Sequence, residues 1–343
     1  MAQQNRFQEL DALRGIAALM VVLFHYTMKR PEAELGFKLG TTGVDLFFII
    51  SGFVIFMSLT KAKTSLDFVI NRVSRLYPTY WTCVTFTFVL IAFFALKNHE
   101  AIPLKQYVGN MTMFQYYLGI TDLDGPYWTM IIEMIFYIGI VLLFHFKALK
   151  YLNPIGITLS LTVIVLTTFF YNSTTQWFLK YIPLLQYVPL FLAGTIFYKS
   201  YTQKSKLIEN YALLLFCLIC QIAMFKYCGR SRSVISQSQY ASMLIVYFGL
   251  FVLFINGKLG FIVSKATLFL GKISFALYLI HQYVSIRLIL PLLIDKYHFN
   301  FWIASLLIAL PIVIILATLV TYFVDIPLSK KMKQRLHSLL TKS

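Results

Sequence analysis

The sequence predicts an all-α fold, in the form of a polytopic transmembrane helix bundle with about ten spans and both termini in the cytoplasm. The first observation is composition, because 59% of the residues are hydrophobic and only 13% are charged, with a mean hydropathy of +0.74. The second is that apolar segments long enough to cross a hydrocarbon layer of ~30 Å recur along the whole chain. The third is a bias of Lys and Arg toward one side of those segments. Together they exclude an ordinary soluble domain.

Ten segments are apolar enough and long enough to be predicted as membrane spans. Short polar loops join them, and none of these loops is long enough to form a separate domain. We therefore expect one transmembrane domain over residues 1–330 and a short basic cytoplasmic tail over residues 331–343. The predicted spans cover residues 13–28, 44–59, 79–96, 127–146, 154–171, 182–198, 207–225, 240–255, 268–290 and 301–324.

The basic residues determine the predicted orientation. The formal net charge is +17, from 30 Lys and Arg against 13 Asp and Glu. When the N-terminus is placed inside, most of the Lys and Arg fall in cytoplasmic loops or in the tail, as the positive-inside rule requires. Topology and contact with the anionic headgroups of membrane lipids then account for the excess charge. Because the basic residues are scattered over many loops, we expect no nucleic-acid partner.

Ionisable side chains inside the first predicted span are the strongest functional indication. Arg14 and His25 interrupt an otherwise apolar stretch, and such groups usually face a bundle interior or a water-filled path because they are costly in hydrocarbon. Eleven residues separate them, which is nearly three helical turns. The two side chains therefore share one helix face, about 16 Å apart along the axis, with His25 beyond the middle of the membrane.

Two carboxylates are candidates to act together with His25. Asp45 lies near the outer end of the second predicted span, and Glu133 is the one acid in the fourth. A carboxylate that accepts the imidazole Nδ1–H fixes the tautomer and raises the basicity of the other nitrogen. The simpler alternative for Asp45 is an interfacial helix cap. His281 in the ninth span is a weaker candidate, because a histidine there is as often a structural hydrogen-bonding residue.

Two arginines near the predicted inner surface, Arg72 and Arg75, are spaced i, i+3 and therefore share a helix face. Guanidinium groups bind phosphate oxygens through forked, charge-assisted hydrogen bonds. The alternative is ordinary positive-inside charge in contact with lipid phosphates. We favour a phosphate-bearing ligand, because these are arginines and not lysines, beside a helix start that Pro78 is predicted to break.

The cysteines give no indication of a metal site. Cys217 and Cys220 form a C-x-x-C pair, but no further Cys or His lies nearby to complete a ligand set. We predict no metal and interpret these residues as small, polarizable side chains that fill helix contacts.

Several motifs, in order along the chain, resemble those of the membrane-bound acyltransferase-3 family. The resemblance extends from residue 10 to about residue 327. The departures are small, with Thr129 where a Ser is usual and Asp325 where a Glu is common. The motifs are Arg14-x10-His25, residues 43–53, Arg72-x-x-Arg75-Leu-Tyr-Pro, Trp128 with Glu133-x-x-Phe136-Tyr137, and Ile273-Ser274 with Tyr278-Leu-Ile-His281.

The resemblance implies an O-acyltransferase. Members of the family move an acyl group, commonly acetyl, from cytoplasmic acyl-CoA to hydroxyls of glycans and other exported molecules. Arg14 and His25 match the family's Arg-x10-His motif, and Arg72 and Arg75 match its Arg-x-x-Arg motif. By role, the predicted site residues are His25, Asp45 and Glu133 for catalysis, Arg14, Arg72 and Arg75 for binding acyl-CoA, and Trp128, Tyr137 and His281 for contact with substrate.

The expected setting is the bacterial cytoplasmic (inner) membrane, with acyl-CoA as donor and a glycan or lipid-linked saccharide as acceptor. A homodimer is left open. The competing class is a proton-coupled transporter or flippase of a lipid or saccharide, because intramembrane His, Asp and Glu are typical of proton-coupled carriers. Against it, the two halves show no matching pair of Gly- or Pro-broken helices, the usual sign of an inverted repeat.

Overall fold

The computed structural model describes residues 7–340, apart from the side chains of Lys204 and Leu340. All the regular structure in this part of the chain is helical, which confirms the predicted fold class. Short 3₁₀ turns join many of the helices, and wider π-helical turns occur in the last two membrane segments. The α-helices are α1 (Gln8–Thr27), α2 (Gly43–Leu59), α3 (Ser65–Lys97), α4 (Leu104–Asn110), α5 (Trp128–His145), α6 (Leu152–Phe169), α7 (Ser173–Tyr181), α8 (Val188–Thr202), α9 (Leu207–Met224), α10 (Gln237–Ile255), α11 (Lys265–Gln282), α12 (Leu310–Val320) and α13 (Ile326–Leu340).

Nine helical stretches within residues 7–340 are long and apolar enough to cross a membrane. Each overlaps one of the predicted spans, and the chain is therefore an integral, multi-pass membrane protein. Length and composition do not fix the direction of a span, so the cytoplasmic location of both termini stays a prediction. The nine stretches are Gln8–Thr27, Phe37–Leu59, Ser65–Lys97, Gly125–His145, Leu149–Phe169, Leu207–Met224, Gln237–Ile255, Lys265–Lys296 and Ile303–Leu339.

The predicted span at residues 182–198 is the exception. Its helix, α8, has 15 residues, about 22 Å at 1.5 Å per residue, which is short of the ~30 Å hydrocarbon core. Most of α8 is buried inside the protein, including Leu190, Phe191 and Ile196, which are at most 1% exposed. The helix is thus both apolar and buried in the protein core, and the tenth predicted span stays a prediction.

The prediction that Pro78 breaks a helix is wrong. α3 continues from Ser65 to Lys97 with Pro78 inside it. A proline removes one backbone donor and crowds the preceding turn, and membrane helices tolerate this where nearby hydroxyls and helices compensate. The carbonyl that loses its usual donor is that of Ser74, one turn earlier, and α3 continues past it without interruption. Both predicted phosphate-binding arginines therefore lie within one long helix and not at a helix start.

The predicted basic tail is helical. Its residues continue α13 as far as Leu340, while residues 341–343 lie outside the described residues. His337 Nδ1 lies 3.7 Å from Asp67 Oδ1, in the first turn of α3. This contact places the tail helix beside the start of α3.

The chain divides into two compact units. The first unit contains the described residues up to Ser65 together with Ile135–Gly271, and the second contains Leu66–Met134 together with the described residues from Lys272 onward. Both contain membrane-spanning stretches. The single domain predicted over residues 1–330 stays a prediction.

Glycines bring α2 and α8 into close contact in the core of the first unit. A Cβ on Gly52 would overlap the carbonyl oxygen of Phe191, and a Cβ on Gly194 would overlap the carbonyl oxygen of Ile49. Small residues allow this approach between membrane-protein helices, where packing rather than the hydrophobic effect drives association. The contact fixes α2, which carries Asp45, against the best-buried helix of the unit.

Candidate active site

His25 lies in the last complete turn of α1, and its hydrogen bonding defines its chemistry. A ring N–H bonds to the backbone carbonyl of Val21, one turn earlier. The ring also packs beside Phe24, with 5.0 Å between ring centroids. In a neutral imidazole one nitrogen is a donor and the other an acceptor. Because one nitrogen donates to the backbone, the other carries the lone pair, as a general base requires.

Arg14 occupies the same helix as His25, nearer its start. Its guanidinium Nη1 lies 4.0 Å from the Oδ1 of Asp11, and the Arg14 side chain is 20% exposed. Asp11 therefore pairs with Arg14 at the limit of an ion-pair distance. Such a long, partly solvated contact contributes little stability.

Glycines also determine the register of α1 against the start of α2. A Cβ on Gly40 would overlap the α1 backbone at Met20. A Cβ on Gly43 would lie 2.8 Å from the carbonyl oxygen of Ala17, three residues earlier on α1. The two segments are therefore antiparallel and in close contact. Extended at 1.5 Å per residue, this register places Asp45 roughly 15 Å from His25 along the helix axis. The predicted action of Asp45 on His25 stays a prediction.

Asp45 has a different partner in the structure. Its buried carboxylate accepts a hydrogen bond from the hydroxyl of Tyr240 on α10 at 2.8 Å. Tyr240 in turn accepts a hydrogen bond from Gln221 Nε2 on α9 at 3.1 Å, and the same amide nitrogen donates to the carbonyl of Gln186 at 3.2 Å. Since the hydroxyl of Tyr240 has one proton, Gln221 and Asp45 together fix its direction. This chain of polar groups was not predicted from the sequence, because no motif marks Tyr240 or Gln221.

A second tyrosine of α10 also bonds to a residue near the start of α2. Tyr247, seven residues after Tyr240 on α10, bonds to the Thr42 hydroxyl at 2.6 Å just before α2 begins. Both partners are buried. Tyr240 and Tyr247 therefore present comparable buried hydroxyls, and only the first touches a carboxylate.

In the second unit, His281 is fully buried and bonds to its own helix. Its Nδ1 lies 2.9 Å from the carbonyl oxygen of Tyr278 and 3.2 Å from that of Leu277. This is the arrangement of a structural histidine, the alternative that the sequence left open. Its predicted contact with substrate stays a prediction.

Asp124 is a buried carboxylate of the second unit that sequence reasoning missed. Its Oδ1 accepts from the backbone N–H of Gly125 at 2.7 Å, and its Oδ2 accepts from that of Tyr283 at 3.0 Å. Burial raises the pKa of Asp124 to about 7, while these two hydrogen bonds act in the opposite direction. The signal was present in the sequence as Asp124-Gly125-Pro126, a typical turn and helix-start pattern.

The two arginines of the second unit differ in their surroundings. Arg72 is half-buried, with its guanidinium carbon 5.7 Å from the centre of the Phe68 ring, and Arg75 is exposed. They lie three residues apart on α3, as predicted. At this distance the Arg72 cation is attracted to the face of the ring.

The predicted site residues are divided between the two units. Arg14, His25, Asp45 and Tyr137 belong to the first, and Arg72, Arg75, Trp128, Glu133 and His281 belong to the second. Tyr137 is buried, whereas Trp128 and Glu133 are partly exposed on α5. Within residues 7–340 no three His, Cys, Asp or Glu side chains are grouped as metal ligands, and the four cysteines are buried free thiols.

Comparison with known proteins identifies the family. The profile of the acyltransferase-3 family, described as an acyltransferase domain, matches residues 7–324. A protein of Acidianus two-tailed virus, provisionally named an acetyltransferase, is 25% identical over 305 residues, which cover 81% of this chain and 83% of that one. No solved structure gives a significant match.

Two further relatives match over shorter stretches. The O-acetyl transferase of Shigella phage Sf6 is 28% identical over 143 residues, 37% of this chain and 43% of the relative. A Bacillus subtilis protein, provisionally named a peptidoglycan O-acetyltransferase, is 28% identical over 146 residues, 38% of this chain and 22% of the relative. With the family profile matched over nearly its whole length, this multi-pass membrane protein belongs to the acyltransferase-3 family.

Proposed function

We propose that the protein is an O-acetyltransferase of the bacterial cytoplasmic membrane, which moves an acetyl group from acetyl-CoA to a hydroxyl of a cell-envelope polysaccharide. Membership of the family supports acyl transfer. The names of the three relatives support acetyl as the group, and two of them support O-acetylation. The name of the Bacillus subtilis relative supports an acceptor of the peptidoglycan type.

The observation that carries the chemistry is that His25, the histidine of the family motif, is partly exposed and so can reach a substrate proton. Its hydrogen bond to the Val21 carbonyl fixes the tautomer whose other nitrogen can accept that proton. The acceptor hydroxyl then attacks the thioester carbonyl while His25 takes its proton, and a C–O bond forms. The C–S bond breaks, and the proton passes to the departing CoA thiolate. The carbonyl oxygen becomes negative on the way and needs hydrogen-bond donors.

The arginines are proposed to hold the donor. Coenzyme A carries phosphates, and guanidinium groups bind them through forked, charge-assisted contacts. Arg72 and Arg75 offer two such groups on one helix face, and Arg14, in the first unit, offers a third. Glu133 keeps its proposed catalytic role with His25 and Asp45. Trp128, Tyr137 and His281 are proposed to contact the substrate, in line with the family motifs that they match.

The test is release of CoA. Membranes that contain the protein, given acetyl-CoA and a polysaccharide stripped of O-acetyl groups, should release free thiol at a rate that depends on both substrates. A thiol-reactive dye measures the release, and mass spectrometry of the polysaccharide detects the added acetyl groups. His145→Ala is the matched control for His25→Ala, because His145 is an exposed histidine at the end of α5.

Two results would refute the proposal. One is thiol release that is the same in membranes without the protein. The other is saccharide movement across the membrane without acetylation, which would favour the transporter class. Full activity in His25→Ala would leave acyl transfer in place but remove His25 as its base.

A further inference from the structure

A groove lies inside the first unit, between α5, α6 and α8. It contains about 530 Å³ of space between atoms, part of which is open to its surroundings. Each of the three helices lines it with four residues at the spacing i, i+3, i+4, i+7, which on α8 runs from Val188 to Thr195. That spacing is one helix face over two turns. The walls are therefore three helical faces, directed at a common space that no part of the described chain fills.

The groove offers nothing polar to a ligand. Of the residues that line it, Thr195 alone has a polar side chain, and its hydroxyl donates to the Leu192 carbonyl of the same helix at 2.8 Å. A water molecule needs two to four polar partners to remain ordered. An apolar chain fits these walls, and in a membrane protein the bilayer supplies such chains.

One end of the groove carries a positive charge. Lys199 follows Thr195 by four residues and so continues the lining face of α8 by one turn. Its Nζ donates to Asn153 Oδ1 on α6 at 2.7 Å, and it lies 5.2 Å from the centre of the Phe56 ring. Within the described residues no carboxylate pairs with Lys199. Lys147, four residues after the lining residue Leu143, adds an exposed cation near the same end.

We propose that this groove is a binding site for one anionic phospholipid, with an acyl chain in the groove and the phosphate at Lys199. A lysine near an anionic headgroup contributes attraction that a zwitterionic headgroup does not match. A helix from a second copy of the chain would also cover the apolar walls, but it gives no reason for a cation without a carboxylate at one end. The proposal does not depend on the acetyltransferase activity.

Gly139 makes it possible to fill the groove without disturbing the fold. It lines the groove on α5, and a Cβ there meets no atom within 4 Å. Gly139→Leu should therefore occupy the chain position, while leucine also favours the helix more than glycine does. Gly249→Leu is the matched control, because Gly249 is an exposed glycine inside α10 with the same open surroundings and lies outside the groove.

The experiment is native mass spectrometry of the full-length protein in mild detergent, titrated with phosphatidylglycerol or with phosphatidylcholine of the same chains. The wild type should retain one phosphatidylglycerol more firmly than the rest. Gly139→Leu should lose this lipid, and Gly249→Leu should keep it. Lys199→Gln should weaken phosphatidylglycerol retention about fivefold, the equivalent of the ~1 kcal/mol that one Lys contributes near anionic lipid. Lys226→Gln is the control, because Lys226 is an exposed lysine that also lies over an aromatic ring. It should leave phosphatidylglycerol retention unchanged.

Each other outcome overturns the proposal. Equal lipid retention in Gly139→Leu and the wild type would show that the groove holds no lipid. Equal retention of both lipids, unaffected by Lys199→Gln, would remove the anionic headgroup from the site. A wild-type dimer that Gly139→Leu converts to a monomer would make the groove an interface between copies. Melting temperatures of all four variants confirm that each comparison is made on folded protein.

Discussion

Each unit contains a buried aspartate, and the two differ in what donates to them. Asp45 of the first unit accepts from the hydroxyl of Tyr240 and from its own backbone N–H, whereas Asp124 of the second accepts from the backbone N–H groups of Gly125 and of the distant Tyr283. The bond from Tyr283 joins the loop before α5 to the start of the π-helical stretch Tyr283–Ile289. The bond from Tyr240 joins α10 to α2 through side chains. The comparison assigns a structural role to Asp124, and the catalytic role of Asp45 stays a prediction.

The histidines of the two units, unlike the aspartates, have the same kind of hydrogen-bond partner and differ in exposure. His25 and His281 both bond through a ring nitrogen to carbonyls of their own helix, so this bond alone does not distinguish a base from a structural residue. Exposure does, because His281 is 0% exposed while His25 is partly exposed. A general base must reach the proton that it removes.

The largest expected effect therefore separates the two histidines. His25→Ala should lower turnover by about 10²- to 10⁴-fold, the usual contribution of a general base, with little change in melting temperature. His281→Ala should do the reverse, because it leaves a buried cavity and removes a bond to the helix. The assay is CoA release beside thermal unfolding in detergent. A larger loss of turnover in His281→Ala would exchange the two roles.

Arginines are expected to give the next largest effect. Arg72→Ala or Arg75→Ala should raise the KM for acetyl-CoA, since each lost charge-assisted bond contributes about 1.5–3 kcal/mol, or roughly 10- to 150-fold in affinity. Replacing either arginine with lysine should restore the affinity for acetyl-CoA only partly, because an ammonium cannot form the forked contact. Arg14→Ala tests the same role in the first unit, where the 4.0 Å contact with Asp11 competes.

The dependence of coenzyme A binding on salt, and its loss in a double variant, test the role of the arginines further. Coenzyme A binding should weaken with ionic strength in the wild type and less steeply in the variants, because the screened charge pairs are gone. Unchanged coenzyme A affinity in the Arg72→Ala, Arg75→Ala double variant would place the donor elsewhere and leave both residues as contacts for lipid phosphates.

The sequence predicted helices where apolar length alone decides, and failed where tertiary packing decides. The nine membrane stretches within residues 7–340 follow from hydropathy, but hydropathy does not show that α8, which is as apolar as a span, is buried in the protein core. Pro78 is a second such case. The rule that a proline ends a helix takes no account of tertiary packing, and α3 continues through Pro78. Reporter fusions at Gly125 and at the C-terminus test the remaining prediction, that these two points lie on opposite sides of the membrane.

The candidate site was predictable only in part, for a related reason. A charge in an apolar segment is visible in the sequence, and Arg14, His25 and Asp45 were found in this way. Tyr240 and Gln221 are ordinary residues in apolar helices, and their role depends on contact with a carboxylate 195 residues away from Tyr240. Long-range pairs of this kind leave no local pattern.

Asp124 is expected to control stability rather than turnover. Asp124→Ala would leave two buried N–H groups without acceptors, at about 1–3 kcal/mol for such a group, and should lower the melting temperature. Because burial raises its pKa to about 7, the folded protein binds this proton more tightly than the unfolded chain does. Stability should therefore fall as the pH rises from about 4 to 7 and then level off, and Asp124→Asn should flatten that slope. A slope that Asp124→Asn leaves unchanged would assign it to another group.

The smallest effect tests Asp45 through its partner. Tyr240→Phe removes the hydroxyl that donates to Asp45, and Tyr247→Phe removes the comparable hydroxyl that bonds Thr42. Both should cost about 1 kcal/mol of stability, the typical net value of a hydrogen bond. Only Tyr240→Phe should also lower kcat, about fivefold if the same energy is lost from a positioned carboxylate, with the KM for acetyl-CoA unchanged. Equal turnover in the two variants would mean that Asp45, like Asp124, serves the fold, and the functional contrast between the two aspartates would disappear.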